Sequence, residues 1–174
     1  MDITALNQLL LDGTERQFWI KPWGHETQAS HPSAQVGSQF FTAPEIDVAF
    51  ATNPAGIKLG DVLFIYHKTM NQIKSPTLAC VTEVISDVTK ATPADIMREP
   101  YRERWSWSIL SRNLTPDYAA RCFEYALNPF SMAKEYSELN PHDAINLGTV
   151  QWGGAKRQVS EGFAHFIVDQ MNAL

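Results

Sequence analysis

The chain has 174 residues, 44% of them hydrophobic, with 14 Lys and Arg against 19 Asp and Glu and a net charge of −5. That is enough apolar material for one cored domain over residues 1–174. No apolar run approaches the ~20 residues of a membrane span, and the acidic balance argues against non-selective coating of nucleic acid, which needs many phosphate contacts. Met1 to Gly13 lacks a basic segment followed by an apolar one, so a soluble, cytoplasmic protein with no membrane partner is expected. Cys80 and Cys122 lie in apolar patterns and read as buried free thiols, not as a disulfide or a zinc site.

In chain order, Ile3, Leu6, Leu9 and Leu10 have helical spacing, and Asp12-Gly13 ends that helix. A strand runs from Gln17 to Lys21 and stops at Pro22. Trp23 to Gln39 has no sustained period and reads as a long loop, a class more often functional than idle. Pro44 to Phe50 fits a helix with Thr42 as its cap, ended by Asn53-Pro54-Ala55-Gly56. A Gly60-Asp61 turn then feeds a strand over 61–67, and a second strand follows over 77–86. The short polar link between them demands antiparallel pairing, because a parallel pair needs a long crossover.

Thr92 and Pro93 open a short helix that Glu99-Pro100 closes. Residues 101–111 alternate as a strand, with Trp105, Trp107 and Ile109 toward the core and Arg104, Ser106 and Ser108 on the other side. Thr115-Pro116-Asp117 caps a helix carrying Tyr118, Cys122, Phe123 and Leu127, and a further helix covers 130–139. A strand is expected around Ile145 to Trp152, then a Gly153-Gly154 turn. The last helix starts at Ser160 and buries Phe163, Phe166, Ile167 and Met171. Short strands mixed with short helices predict an α+β fold, a curved and mostly antiparallel sheet or partial β-barrel with flanking helices.

Several of these elements carry a family resemblance. Gln17-Phe18-Trp19-Ile20-Lys21 is a short aromatic strand ending in Lys, residues 60–67 are a Gly-Asp turn and an apolar run ending in Tyr-His, Glu83-Val84 is an acidic-Val pair, and Arg104-Trp105-Ser106-Trp107-Ser108-Ile109 approximates an Arg-Trp-x-x-x-Val strand. In this order they resemble the EVE domains and, more distantly, the YTH domains of the PUA-like superfamily. The resemblance implies a PUA-like fold with a pocket for a single, modified base of DNA or RNA. It also allows a nuclease or ATPase partner.

Trp23 follows the first strand where those families place ligand contacts, and Phe40-Phe41-Thr42 lies near the place of a YTH cage tryptophan and its small polar neighbour. Tyr66, His67 and the loop-proximal Trp152 complete the base-binding candidates. Stacking a base on aromatic rings is worth about 1–3 kcal/mol, so two or three converging rings suffice, and packing is the alternative reading for each ring. Lys21, Lys68, Arg104, Lys156 and Arg157 are the phosphate candidates, and solvated surface charge is their alternative. Arg98, Arg102, Arg104 and Arg112 against Glu99 and Glu103 give residues 98–112 a local balance of +2, a basic spot that Lys156-Arg157 is expected to join.

Catalysis has little support: nucleophile-elbow, Walker-type and His-Glu-x-x-His motifs are all missing. His25 and His31 lack a matching ligand set, so neither a metal nor a cofactor is expected. An enzyme acting on a nucleotide or small metabolite in the same pocket, and a protein-interaction domain, stand as the alternatives.

Overall fold

The computed structural model describes residues 1–23, 39–68, 75–151 and 155–174. Seven strands are found among them: β1 (Phe18–Trp23), β2 (Glu45–Phe50), β3 (Val62–His67), β4 (Thr77–Val84), β5 (Thr89–Lys90), β6 (Trp107–Asn113) and β7 (Arg157–Val159). They form one mixed sheet in the order β2-β6-β4-β3-β1-β7, with β5 pairing β6 beside that path. β1 runs parallel to β3, and the other pairs are antiparallel. The expected hairpin is there, with Val62 opposite Glu83 and His67 opposite Thr77.

Side-chain alternation divides the sheet into two apolar layers. Phe18 and Ile20 of β1 and Val62, Phe64 and Tyr66 of β3 face the helices α1 (Thr4–Leu11), α5 (Pro129–Leu139) and α6 (Glu161–Asn172), where Leu6, Met132, Phe163 and Ile167 meet them. Trp19 and Trp23 of β1, Leu63 and Ile65 of β3, and Ile46, Val48 and Phe50 of β2 face the other way and pack together. A strand buried on both faces has no polar side to show, which is why residues 62–65 read as one unbroken apolar run.

The sheet curls around this second layer. Lys21 Nζ on β1 lies 4.9 Å from the Phe50 ring on β2, although a flat sheet would separate those strands by four spacings, about 19 Å. A bulge helps the bend: the β3–β4 register slips between Ile65 and Tyr66, so that Ala79 is the extra residue, and bulges increase local twist and bending.

Several elements differ from the sequence expectation. Residues 44–50, expected as a helix, form β2, because Ile46, Val48 and Phe50 alternate inward and the whole strand finds a partner in β6; tertiary pairing overrides a cap-like start. Of the strand expected around Ile145 to Trp152, the described residues make a 3₁₀ turn over Gly148–Gln151 instead, and the place beside β1 is taken by β7. The strand expected from residue 101 starts only at Trp107, because Pro100 opens a 3₁₀ turn over Pro100–Glu103. Between these, Thr92 caps α2 (Pro93–Arg98) in a reciprocal box with Asp95, and the expected helix after Thr115 divides into α3 (Pro116–Ala119) and α4 (Cys122–Tyr125). Among the described residues no helix is long and apolar enough to cross a membrane.

β1 also continues past Pro22 to Trp23. The carbonyls of Gln17 and Trp23 accept from β3 and the residue after it, so alternation turns Pro22 toward the other edge. There the β7 pairing has already stopped at Ile20, and among the described residues a missing N–H costs nothing at that edge.

Asp61 ties the parallel pair together. Its Oδ1 accepts from the Gln17 amide at 3.0 Å, and its Oδ2 accepts from Trp19 Nε1 and the Lys58 amide, each at 2.9 Å. Gly60, at φ +86°, supplies the left-handed turn that brings the carboxylate back onto β1. Asp61→Ala strands three donors, one of them a buried indole N–H, and is expected to lower stability by about 2–4 kcal/mol in urea unfolding. Asp61→Asn, which keeps one acceptor oxygen, should lose visibly less.

Candidate functional site

The parallel register puts Trp23 beside His67 at the ends of β1 and β3, both on the inner side of the sheet. A 3₁₀ turn over Gln39–Thr42 then lays two phenylalanines against them. The Trp23 ring lies 5.5 Å from Phe40 and meets Phe41 edge-on at 5.8 Å; Phe40 and Phe41 are 5.1 Å apart and also edge-on. Phe41 meets the His67 imidazole edge-on at 4.8 Å, and Phe123 of α4 stacks on that ring at 5.0 Å. Edge-to-face and offset pairs at these distances are the favoured aromatic geometries.

Asn113 at the end of β6 holds the turn in place. Its amide donates to the carbonyls of Phe41, at 2.6 Å, and Ala43, at 3.0 Å, while its oxygen accepts from the Thr115 amide. Burial of His67 between rings pushes its pKa down to about 4, so it is a neutral imidazole at neutral pH.

The same alternation that aims Trp19 and Trp23 inward aims Lys21 inward between them. It is 1% exposed, and its Nζ lies 5.3 Å from the Trp23 ring, 4.9 Å from Phe50 and 5.7 Å from Trp105. The amine donates to the Pro22 carbonyl at 2.9 Å, a group beyond the end of the β7 ladder at Ile20. Aromatic faces and one carbonyl only partly replace water around a charge. Burial, and then the charge of Lys68, lower the Lys21 pKa to about 7. Trp105, also in this box, is 4% exposed, and its Nε1 has no hydrogen-bond partner among the described residues.

The structure therefore brings Trp23, Phe40, Phe41 and His67 into one cluster, with the half-buried Thr42 closing the turn. Tyr66 stands apart. It points to the helix side, where its hydroxyl donates to the Val150 carbonyl at 2.8 Å and its ring meets Phe130; one step along a strand reverses the face. Trp152, Gly153-Gly154, His25 and His31 lie outside the described residues.

Among the phosphate candidates Lys21, expected at the surface, is buried with its amine among the rings of Trp23, Phe50 and Trp105. Lys68 follows β3 and is half-buried, as is Arg157 on β7. Lys156 donates to the Ala55 carbonyl and sits 3.9 Å over the Trp19 ring. Arg104 is exposed, with its guanidinium 5.8 Å from the Trp105 ring.

The arginines around it are largely neutralised. Arg102 pairs with Asp47 and Glu99, Arg98 with Asp95, and Arg112 with Glu83. The positive balance of residues 98–112 is thus offset by carboxylates from β2, β4 and α2.

Phe50, Trp105 and Phe123 were not among the sequence candidates. The available signal was the period-two run Trp19-Lys21-Trp23, which places a lysine between two inward rings and so asks what surrounds it. Comparison of the sequence with protein-family models and with curated proteins finds no match.

The Lys21 shift has a definite sign. Between pH 7 and the ordinary lysine value of 10.5 the unfolded chain binds more protons than the folded one, so stability rises with pH across that window. Lys21→Met removes the buried amine and should raise stability at pH 7 while flattening the rise from pH 7 to 10 in denaturant titrations. An unchanged slope in the variant would show that Lys21 is not the titrating group.

Proposed function

We propose that this protein is a nucleic-acid-binding module, a PUA-like domain of EVE type, that takes a single modified base of DNA or RNA into an aromatic pocket. The observation that carries this reading is the continuous run of rings Trp23, Phe40, Phe41, His67 and Phe123 at the ends of two parallel strands. Phe40 and Phe123 are the half-buried rings of this run, so their faces are the ones a flat ligand reaches first, and a methyl group on that ligand gains by burial against them. A neutral His67 supplies one donor and one acceptor for a base edge without bringing a charge into the pocket.

Lys68 beside the Trp23–His67 pair and Arg104 beside Trp105 are the candidates for the flanking phosphates. A chain of net charge −5 whose arginines are largely paired should make few such contacts.

The enzyme reading has one observation in its favour, the depressed pKa of Lys21 in the same layer. Against it, neither Lys21 nor His67 makes an ion pair among the described residues, so the amine and the imidazole lack the carboxylate that would orient or activate them.

The test is a screen of short single-stranded and duplex oligonucleotides carrying one modified base each, read by fluorescence anisotropy at two salt concentrations. Binding to one modification is expected, with a shallow salt dependence, since each neutralised phosphate contributes about 0.7 to the slope on single strands. A slope near the ~10 of many-contact binders would instead mark a non-selective coat. Phe40, like Phe123, is a half-buried ring of the cluster, so Phe40→Ala should weaken binding by about 1–3 kcal/mol with a smaller loss of stability. Phe41→Ala, which empties a buried position, should cost both.

A further inference from the structure

We infer that Lys21 couples the strand-end cluster to pH: an anion held beside Trp23 and Lys68 draws a proton onto the buried amine, so a ligand that carries phosphate binds more tightly as pH falls through neutrality. This rests on the proposal that the cluster takes a nucleic-acid ligand, and it adds how that site is regulated.

The coupling runs through Trp23. Its ring lies 5.3 Å from Lys21 Nζ and also meets Phe40 and Phe41, at 5.5 and 5.8 Å. Its carbonyl accepts from the Lys68 amide at 3.2 Å, so the buried amine and the phosphate candidate Lys68 are both anchored to one residue. The amine stays in its box throughout. No ligand atom has to reach it, because a charge acting through protein is felt at a distance and is screened much less than one acting through water.

The surroundings of the amine set the sign. β1 supplies the Pro22 carbonyl and the Trp23 ring, β2 the Phe50 ring, and the turn before β6 the Trp105 ring. Glu45 and Asp47 of β2 alternate to the other face, where Asp47 pairs with Arg102. On β3, Ile65 stands beside Lys21; beyond it His67 is neutral, with a pKa pushed down to about 4, and Lys68 is positive. Cys80 of β4, opposite Ile65, is a thiol that burial keeps protonated. Arg104 over Trp105 and Lys156 over Trp19 add positive charge. Burial in this neutral to positive setting, with Lys68 as the charge that acts on the amine, brings its pKa to about 7.

A phosphate beside Lys68 offsets that like charge and favours the protonated amine. The complex then holds more protons than the free protein in the window above pH 7, so affinity falls there as pH rises and levels off below it, where both forms are protonated. A rise of one unit in the Lys21 pKa on binding caps the effect at about tenfold.

The modified-base oligonucleotide screen is therefore run at about pH 6 and about pH 8.5 at constant ionic strength, a range over which a phosphate diester keeps its charge, and the tightest-bound strand is titrated against the full chain and Lys21→Met. Affinity of the full chain is expected to fall about three- to tenfold across the range, and that of Lys21→Met by less than about twofold. By reciprocity, an NMR titration of the Lys21 side chain should show its pKa rising when the same strand is added; if Lys21→Met does not fold, this measurement decides alone. Affinity that is unchanged or greater at the higher pH, a pH dependence that survives Lys21→Met, or a Lys21 pKa that does not rise overturns the inference and leaves the base-reading proposal standing. If no strand of the screen binds at either pH, the base-reading proposal falls and this inference with it.

Discussion

The parallel pairing of β1 with β3 is the constraint on which the rest of the molecule depends. Parallel neighbours cannot be joined by a tight turn, so the chain leaves β1, builds β2 at the far edge of the sheet, and returns to β3. Asp61 makes that return specific by accepting from the backbone of Gln17, the indole of Trp19 and the amide of Lys58. Because β1 and β3 run the same way, their last residues come out side by side. Trp23 meets His67 there, and an antiparallel pair would have put them at opposite ends.

That choice also explains the buried lysine. With the β1–β3 register set, alternation sends Trp19, Lys21 and Trp23 to the same side, and the curl of β2 and the 3₁₀ turn before β6 close rings over them. A methionine would fill the same space without the desolvation of an amine. The protein instead keeps a group whose folded pKa sits near 7, beside an indole N–H with no described partner.

The opposite face of the sheet is conventional by comparison. Tyr136 and Ser160 both donate to Asp143 Oδ2, at 2.5 and 2.6 Å, and Ser160 also caps α6. The constellation of Tyr, Asp and Ser has a packing explanation: a Cβ on Gly162 would collide with the Tyr136 hydroxyl, so the close approach of α5 to α6 depends on glycine there. Tyr66 belongs to this face, where its hydroxyl satisfies the Val150 carbonyl.

Local chemistry in the sequence was sufficient for the β3–β4 hairpin, the capped helix α2, the terminal helices α1 and α6 and the α+β class, because a turn, a cap or a 3.6-residue stripe is written in neighbouring residues. Trp23, Phe40, Phe41 and His67 were legible as candidates for the same reason, since large rings at strand ends and in turns lack a local packing partner. Tertiary structure alone decided that residues 44–50 are a strand, because β6 is the partner that makes them one. It also decided that Tyr66 and His67 part company, and that Lys21 is buried rather than exposed. Phe50 and Trp105 lie far from residue 21 in sequence, and only the curl of the sheet, which no local pattern encodes, brings them around its amine.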